Sequence, residues 1–277
     1  MTSIVSLSQF AVIKLSGEQS HSFLQGQVTC NVDDIKASEW QAGAHCNAKG
    51  KAWSTFIAFE QNDALYLVMT KESAEVSLAE LNKYGVFSKT DITDDTNNWH
   101  IYGSNEAVVS QKSIELTQGH VLVLSREELT VTADSSNEWW NNEVLSGRAH
   151  LFAKTIGEYV PQMINLQALN YISFNKGCYM GQEMVARMRY LGKNKRALYL
   201  AETDGEYDLT AGDDVFKAMN NNRRASGKVI NSTTYNGKTT AQLVLPNDTD
   251  LNDKIYLDSE SDQHFRLLPL PYSLDQD

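Results

Sequence analysis

Cysteine and proline are both scarce in this chain of 277 residues, which contains three cysteines and four prolines. Cys30, Cys46 and Cys178 form no C-x-x-C pair, and their odd number argues against a disulfide framework. Three thiols are also too few for the usual ligand set of an iron–sulfur cluster. The six histidines include no pair four residues apart, so their spacing predicts no metal site. Free cysteines are typical of a reducing compartment, and we expect a cytoplasmic protein.

Long apolar runs are missing as well, and no stretch approaches the length of a membrane-spanning helix. The first residues lack the basic region and the apolar core of a secretory signal. Positive charge is in the minority, because 24 Lys and Arg stand against 35 Asp and Glu, which gives a net charge of −11. This balance argues against a general nucleic-acid coat protein.

One stretch reverses the charge balance. Between residues 176 and 196 a single acid, Glu183, is accompanied by six basic residues: Lys176, Arg187, Arg189, Lys193, Lys195 and Arg196. A positive patch on an acidic protein indicates a local anionic ligand or partner. The alternative is a solvated, lysine-rich loop, which is the commoner meaning of a short charge run.

The first part of the chain mixes strand and helix patterns without strict βαβα alternation, which predicts an α+β fold. Residues 53–60 and 65–69 are predicted to be paired strands. Apolar residues recur at helical spacing over 72–84, so a helix is expected there. Ser16 and Gln19 fit a capping box that would open another helix.

Later segments add two helical patterns and a run of short strands. Residues 166–172 and the segment after Arg126 are predicted to be helical, and a further helix is expected around Trp139 and Trp140. After Arg196, short strand patterns are separated by turn residues such as Asn236-Gly237. This spacing predicts a small all-β domain.

The densest group of reactive side chains is the segment Asn175-Lys176-Gly177-Cys178-Tyr179-Met180-Gly181-Gln182-Glu183-Met184-Val185-Ala186-Arg187. Gly177 and Gly181 permit a sharp turn around Cys178, and helix-favouring residues follow from Gly181. A thiol just before a helix N-terminus, with Lys176 beside it, tends to have a lowered pKa. Alternatively, Cys178 is a buried inert thiol, and Glu183 and Arg187 form an ordinary i,i+4 helix pair.

This motif resembles the signature of the YgfZ family, folate-binding proteins related to the glycine-cleavage T-protein, an aminomethyltransferase. The residues that carry the resemblance are Lys176, Gly177, Cys178, Tyr179, Gly181, Gln182, Glu183 and Arg187. Segments 44–51, 86–89, 160–169 and 269–274 resemble other parts of the family. The resemblance implies a three-domain, T-protein-like architecture: a discontinuous α+β folate-binding domain at 1–45 and 125–192, a second α+β domain at 46–124, and a C-terminal β-barrel domain at 193–277.

The resemblance also implies tetrahydrofolate or a derivative as the ligand. Trp139 matches a family tryptophan associated with folate, and Phe10 lies where the family often has another tryptophan. A phenyl ring can stack on a ligand but cannot donate a hydrogen bond. His45 and Cys46, followed by Lys49-Gly50-Lys51, could face the glutamate tail of a folate. The alternative for this segment is a surface hairpin with solvated lysines.

T-proteins are thought to use an aspartate close to the folate ring. The matching segment here, 49–54, has no carboxylate at Trp53 or Ser54. Loss of an acid or base group removes a factor of ~10²–10⁴ in rate, so we expect binding without the T-protein reaction.

The resemblance therefore implies a folate-binding accessory protein that maintains iron–sulfur enzymes, including those that modify tRNA. Its implied partners are folate and iron–sulfur client proteins, with no membrane involved and with an indirect effect on tRNA. Cys178 is expected to be the functional thiol. A folate-dependent aminomethyltransferase and a direct tRNA-binding module are the alternatives.

Overall fold

The computed structural model of the protein describes residues 2–192, 194–219 and 222–274. Within these residues the strands are β1 (Ile4–Ser6), β2 (Phe10–Ser16), β3 (Gln41–Cys46), β4 (Ala52–Gln61), β5 (Ala64–Thr70), β6 (Asp91–Asp94), β7 (His100–Ser104), β8 (Lys112–Thr117), β9 (His120–Ser125), β10 (Arg196–Asp204), β11 (Asp214–Met219), β12 (Asn222–Tyr235), β13 (Lys238–Pro246), β14 (Ile255–Tyr256) and β15 (His264–Leu268). The α-helices are α1 (Ser20–Gln25), α2 (Ile35–Ser38), α3 (Lys71–Gly85), α4 (Asn137–Leu145) and α5 (Gln182–Leu191). Short 3-10 turns occupy Val32–Asp34, Thr96–Asn98 and Pro161–Ile164.

The first sheet has five strands in the order β3-β4-β5-β2-β6. The predicted strand pair is confirmed as β4 and β5, which join through Asn62 and Asp63, both with positive φ. The predicted helix is confirmed as α3, whose N-cap Thr70 accepts a hydrogen bond from the Ser73 amide. A buried apolar cluster, with Leu65 and Leu81 among its members, lies on the α3 side of this sheet.

The second sheet has four strands in the order β1-β7-β9-β8. Helix α4 packs against it through Trp139, whose ring lies so close to Gly103 on β7 that an added Cβ would meet it at 2.3 Å. A side chain at Gly103 would therefore displace the helix. The same core contains Phe10 of the first sheet and Trp140 of α4, so the two sheets share one apolar interior.

Strands β10 to β15 form a closed barrel in the order β10-β13-β12-β11-β14-β15. This confirms the predicted all-β C-terminal part and the α+β fold class. The hairpin between β12 and β13 turns at Asn236 and Gly237, both with positive φ, as the sequence predicted. The sequence analysis missed β11, whose apolar residues are interrupted by Lys217.

Two helical predictions are wrong. Residues 166–170 form turns and residues 171–172 belong to no helix, because Asn165 and Asn170 adopt left-handed backbone conformations that end any right-handed helix. No helix follows Arg126 directly, and α4 begins only at Asn137.

The predicted capping box is also wrong. Ser16 ends β2, α1 begins at Ser20 without a side-chain cap, and the Gln19 side chain accepts from the Lys89 amide instead.

The division of the first half near residue 45 stays a prediction. The first sheet spans that position, because β3 pairs with β4 and β2 pairs with β5. In the part of the chain that the structure describes, no helix is long and apolar enough to cross a membrane.

Candidate functional site

A cavity of about 690 Å³ lies between α4, the loop that follows Leu151 and the barrel, and we call it the α4–barrel cavity. Elements far apart in sequence build its wall. Trp140 comes from α4, Lys154 from the loop, and Asn231 from β12. A concave site of this size at the junction of separate structural units is typical of small-molecule binding.

Two polar atoms in this wall have no partner among the described residues, namely Trp140 Nε1 and Asn231 Oδ1. The orientation of the Asn231 amide follows from its neighbour. Gln242 Nε2 donates to the carbonyls of Val144 at 2.9 Å and Arg148 at 3.0 Å, so Gln242 Oε1 must face Asn231. Asn231 Nδ2 donates to that oxygen at 2.8 Å, which leaves its own Oδ1 as the unused acceptor. Residues of the wall therefore hold one buried donor and one buried acceptor that lack a protein partner.

The two predicted folate-binding residues, Trp139 and Phe10, are brought together around Trp140. Phe10 stacks on the Trp140 ring at 5.6 Å and 9°, and Trp139 meets it edge-on at 5.2 Å and 86°. Neither residue lines the α4–barrel cavity itself. The Trp139 N–H donates to the Val121 carbonyl at 3.1 Å, so this indole is already satisfied within the core. Both predicted residues therefore contact Trp140, and neither contacts the cavity directly.

A buried charged network lies next to this aromatic group. Glu143 is 1% exposed and accepts hydrogen bonds from Arg148 at 2.9 and 3.0 Å. It also contacts Nε2 of His120 at 2.6 Å and Nε2 of His150 at 2.8 Å. Burial alone would raise the pKa of Glu143, but the Arg148 charge and the two histidine hydrogen bonds hold it well below its ordinary value. Because the His150 ring packs on Phe10 and Trp140, this network also supports the cavity wall.

Within the cysteine motif, three residues anchor the loop. The Lys176 ammonium donates to the carbonyls of Val28 at 2.8 Å and Cys30 at 2.6 Å, and burial lowers its pKa to about 8. Tyr179 is buried, which raises its pKa. Gly181 has φ +81°, and an added Cβ would lie 2.5 Å from the Asn47 carbonyl oxygen. The lysine that was expected to activate the thiol is therefore engaged by backbone carbonyls.

The other motif residues are presented to solvent. Cys178 is exposed, and α5 begins at Gln182, which confirms a loop that leads into a helix. Gly177 has no positive φ, and an added Cβ would meet nothing within 4 Å, so neither conformation nor packing requires glycine there. Glu183 and Arg187 form the i,i+4 pair at 3.7 Å, on side chains that are 87% and 48% exposed. The thiol therefore faces solvent.

Several side chains of the basic stretch are already engaged by groups of the protein. Arg196 donates to the Ser226 carbonyl, Arg187 is paired with Glu183, and Lys176 is held as described above. Arg189 is exposed and lies over the Phe174 ring at 4.0 Å. Lys195 is exposed as well, and Lys193 lies outside the described residues.

The hairpin that contains His45 was predicted either to face a folate tail or to lie at the surface. His45 and Cys46 are fully buried, so neither is available to a folate tail at the surface. Burial lowers the pKa of His45 to about 3 and raises that of Cys46 to about 12. Lys49 is exposed in the turn, where its amide donates to Asn47 Oδ1 at 2.9 Å. The hairpin's role here is to support the motif, since Asn47 and Gly50 pack against Gly181.

Sequence reasoning missed Trp140, Asn231 and Gln242. The adjacent tryptophans were visible in sequence, but which ring faces the cavity depends on how α4 packs. Asn231 follows a register shift in the pairing of β12 with β13, which no sequence pattern signalled. Among the described residues, no group of three or more His, Cys, Asp or Glu side chains could hold a metal ion.

Comparison with known proteins identifies the family. A family model described as the YgfZ β-barrel domain matches residues 194–260. The tRNA-modifying protein YgfZ of Colwellia psychrerythraea is 37% identical, over 99% of this chain and 94% of that protein. The tRNA-modifying protein YgfZ of Vibrio atlanticus is 35% identical, over 98% of this chain and 92% of that protein.

A solved structure shares the fold. The crystal structure of glycine cleavage system aminomethyltransferase T from Bartonella henselae matches with a TM-score of 0.66, over 96% of this chain and 84% of that one. Its sequence identity is 11%, so the likeness concerns the fold alone. Taken with the barrel match and the relatives that align along nearly the whole chain, these results establish that the chain belongs to the YgfZ family.

Proposed function

We propose that this chain binds a reduced folate in the α4–barrel cavity and works in the cytoplasm as an accessory protein. In this proposal it supports iron–sulfur enzymes and, through them, tRNA modification. The carrying observation is that two residues of the cavity wall each hold a buried polar atom without a protein partner, the Trp140 N–H and the Asn231 carbonyl oxygen. A ligand would reach these atoms once the two side chains turn toward the cavity. A pterin ring is flat and has acceptor and donor atoms along one edge, so it complements such a pair. The relatives named tRNA-modifying protein YgfZ support the link to tRNA.

The residues present fit a folate. The volume of about 690 Å³ lies within the range of ~300–1,000 Å³ that is usual for small-molecule pockets. The side chain of Lys154 lines the cavity, is 65% exposed and lies 3.4 Å from Asp213, and in this proposal it exchanges that partner for the carboxylates of a glutamate tail. Phe10 and Trp139 would act by holding the Trp140 ring in place.

A bound tetrahydrofolate would carry one-carbon units, but we propose that this protein does not catalyse the aminomethyltransferase reaction. Trp53 packs its ring against His45 at 4.9 Å, and the buried Ser54 hydroxyl accepts from Ser77 at 2.9 Å. Neither position provides the carboxylate that the T-protein reaction is thought to need. A turnover assay with tetrahydrofolate and an amine donor separates this proposal from the aminomethyltransferase alternative.

The test is calorimetric titration of tetrahydrofolate into the wild type and matched variants. Trp140→Phe and Asn231→Ala should each weaken binding by ~1–3 kcal/mol, because a stacking surface or a hydrogen bond is lost. Trp139→Phe changes a ring that does not line the cavity and should weaken binding less. Circular dichroism checks the fold of each variant. A larger loss in folded Trp139→Phe than in Trp140→Phe would place the ligand at Trp139 and reject the α4–barrel cavity.

We also propose that the Cys178 loop is where this protein meets its partner. Lys176, Tyr179 and Gly181 fix the loop, whereas Gly177 and Cys178 have no structural role that the fold requires. Gly177→Ala should fold normally yet fail to restore function in cells that lack the protein, because the added methyl group obstructs a close approach. Cys178→Ser should fail in the same assay, and Cys46→Ser, which changes a buried thiol, serves as the control. Full complementation by Cys178→Ser would refute a role for this thiol.

A further inference from the structure

A second cavity, of about 100 Å³, lies between the start of the chain, the second sheet and α4, and we call it the His120 cavity. Its lining includes Ser104, His120, Ser135, Glu138, Trp139 and Asn142. Each enclosed water needs roughly 10–15 Å³ by this measure, so the space suits a ligand of only a few heavy atoms. None of these residues takes part in the proposed folate site, except Trp139 through its contact with Trp140.

His120 is held in one orientation at this cavity. The residue is 3% exposed, and its Nε2 lies 2.6 Å from Glu143 Oε2. Glu143 is ionised, since Arg148 and two histidines hold its pKa well below the ordinary value despite burial. A carboxylate only accepts hydrogen bonds, so Nε2 must carry a hydrogen. In the neutral ring Nδ1 is then a bare acceptor, in a residue that lines the cavity.

The lining as a whole favours a cationic donor. Serine hydroxyls, the Asn142 amide oxygen, the Glu138 carboxylate and His120 Nδ1 can all accept hydrogen bonds. The described residues that line the cavity include no Lys or Arg. An ammonium group has three donors and no acceptor, so it matches this set.

We propose that the His120 cavity binds a small primary ammonium group, carried either by a free alkylamine or by a lysine side chain of a partner protein. Glu138 supplies the charge at the exposed rim, and His120 supplies an oriented acceptor within. Glu143 and Arg148 position the His120 ring. The site is separate from the folate cavity, so it stands or falls independently of the proposed function.

The probe is ethylammonium chloride, titrated into the full chain while the indole N–H resonance of Trp139 is followed by NMR. Sodium chloride at equal ionic strength and potassium acetate serve as controls. We expect a saturable shift with ethylammonium and none with either control. Nα-acetyl-lysine amide is the second ligand. If it binds as well as ethylammonium, a lysine side chain can enter, and if only ethylammonium binds, the ligand is a free amine; both results support an ammonium site.

Variants decide whether the named residues form the site. His120→Gln keeps a donor for Glu143 and removes the Nδ1 acceptor, so affinity should fall about tenfold. Glu138→Gln changes an exposed side chain that cannot unfold the protein, and affinity should fall about two- to fivefold. Glu115→Gln removes an exposed acid outside the cavity and should have no effect. Equal binding of acetate, no saturation, or equal losses in Glu115→Gln and Glu138→Gln would overturn the proposal.

Discussion

Replacing His45 with leucine should make the stability of this protein less dependent on pH. His45 is 0% exposed and neither ring nitrogen has a partner among the described residues, although the ring packs on Trp53. Burial lowers its pKa from 6.5 to about 3. Each pKa unit corresponds to about 1.4 kcal/mol, so forcing the charged ring to stay buried would cost on the order of 5 kcal/mol.

The sign follows from proton binding in the two states. Between about pH 6.5 and about pH 3 the unfolded chain binds a proton at His45 and the folded chain does not. Stability is therefore complete above the unfolded pKa and falls as the pH drops through this window. From about pH 7 to about pH 5 the loss from this residue should be about 2 kcal/mol, and most carboxylates are still ionised there.

The assay is urea unfolding, followed by circular dichroism, of wild type and His45→Leu near pH 7 and near pH 5. The wild type should lose about 2 kcal/mol more than the variant on this change. Near neutral pH the variant should be no less stable, because each unsatisfied buried polar group costs ~1–3 kcal/mol. His100→Leu, at an exposed histidine, should behave like the wild type. Equal pH dependence in wild type and His45→Leu would show that His45 is protonated or hydrated in the folded state and refute this reasoning.

Three further predictions concern the motif, the buried network and the basic stretch. In urea unfolding, Gly181→Ala should lower the free energy of unfolding by at least ~1–3 kcal/mol, because the residue has positive φ and the added Cβ would lie 2.5 Å from a carbonyl oxygen. Gly177→Ala should leave the free energy of unfolding unchanged. In the same assay, Glu143→Gln should lower the free energy of unfolding by ~3–5 kcal/mol, because a buried arginine loses its carboxylate partner. Glu183→Gln, at an exposed residue, should change the free energy of unfolding by less than ~0.5 kcal/mol. Arg189→Glu should fold normally. If the wild type bound tRNA tightly and in a salt-dependent way, and this variant did not, the direct tRNA-binding alternative would be favoured.

Features fixed by local backbone chemistry could be predicted from the sequence. The β4–β5 turn at Asn62 and Asp63 and the hairpin at Asn236-Gly237 use residues that tolerate positive φ, so neighbouring strands pair as expected. The helix after Gly181 follows from the propensities of its own residues. In each case the decisive interactions lie within a few residues along the chain.

Features fixed by distant contacts could not be predicted. Gln19 was expected to cap its own helix, but its side chain meets the Lys89 amide, which is 70 residues away in sequence. Lys176 was expected to stand beside the thiol as a free charge, but it reaches the carbonyls of Val28 and Cys30. A local motif indicates that a loop exists, whereas tertiary packing determines which charges in it remain available.

The candidate cavity shows most clearly why sequence reasoning stops short. A helix turns by about 100° for each residue, so Trp139 and Trp140 must face different surroundings, and only the packing of α4 decides which ring meets the barrel. The unused acceptor at Asn231 is fixed by a chain of hydrogen bonds that runs through Gln242 to the carbonyls of Val144 and Arg148. If Gln242 were reversed, Asn231 would be left with an unused donor instead of an unused acceptor, and the proposed match to a pterin edge would be lost. The proposed ligand preference therefore depends on an amide that does not itself line the cavity.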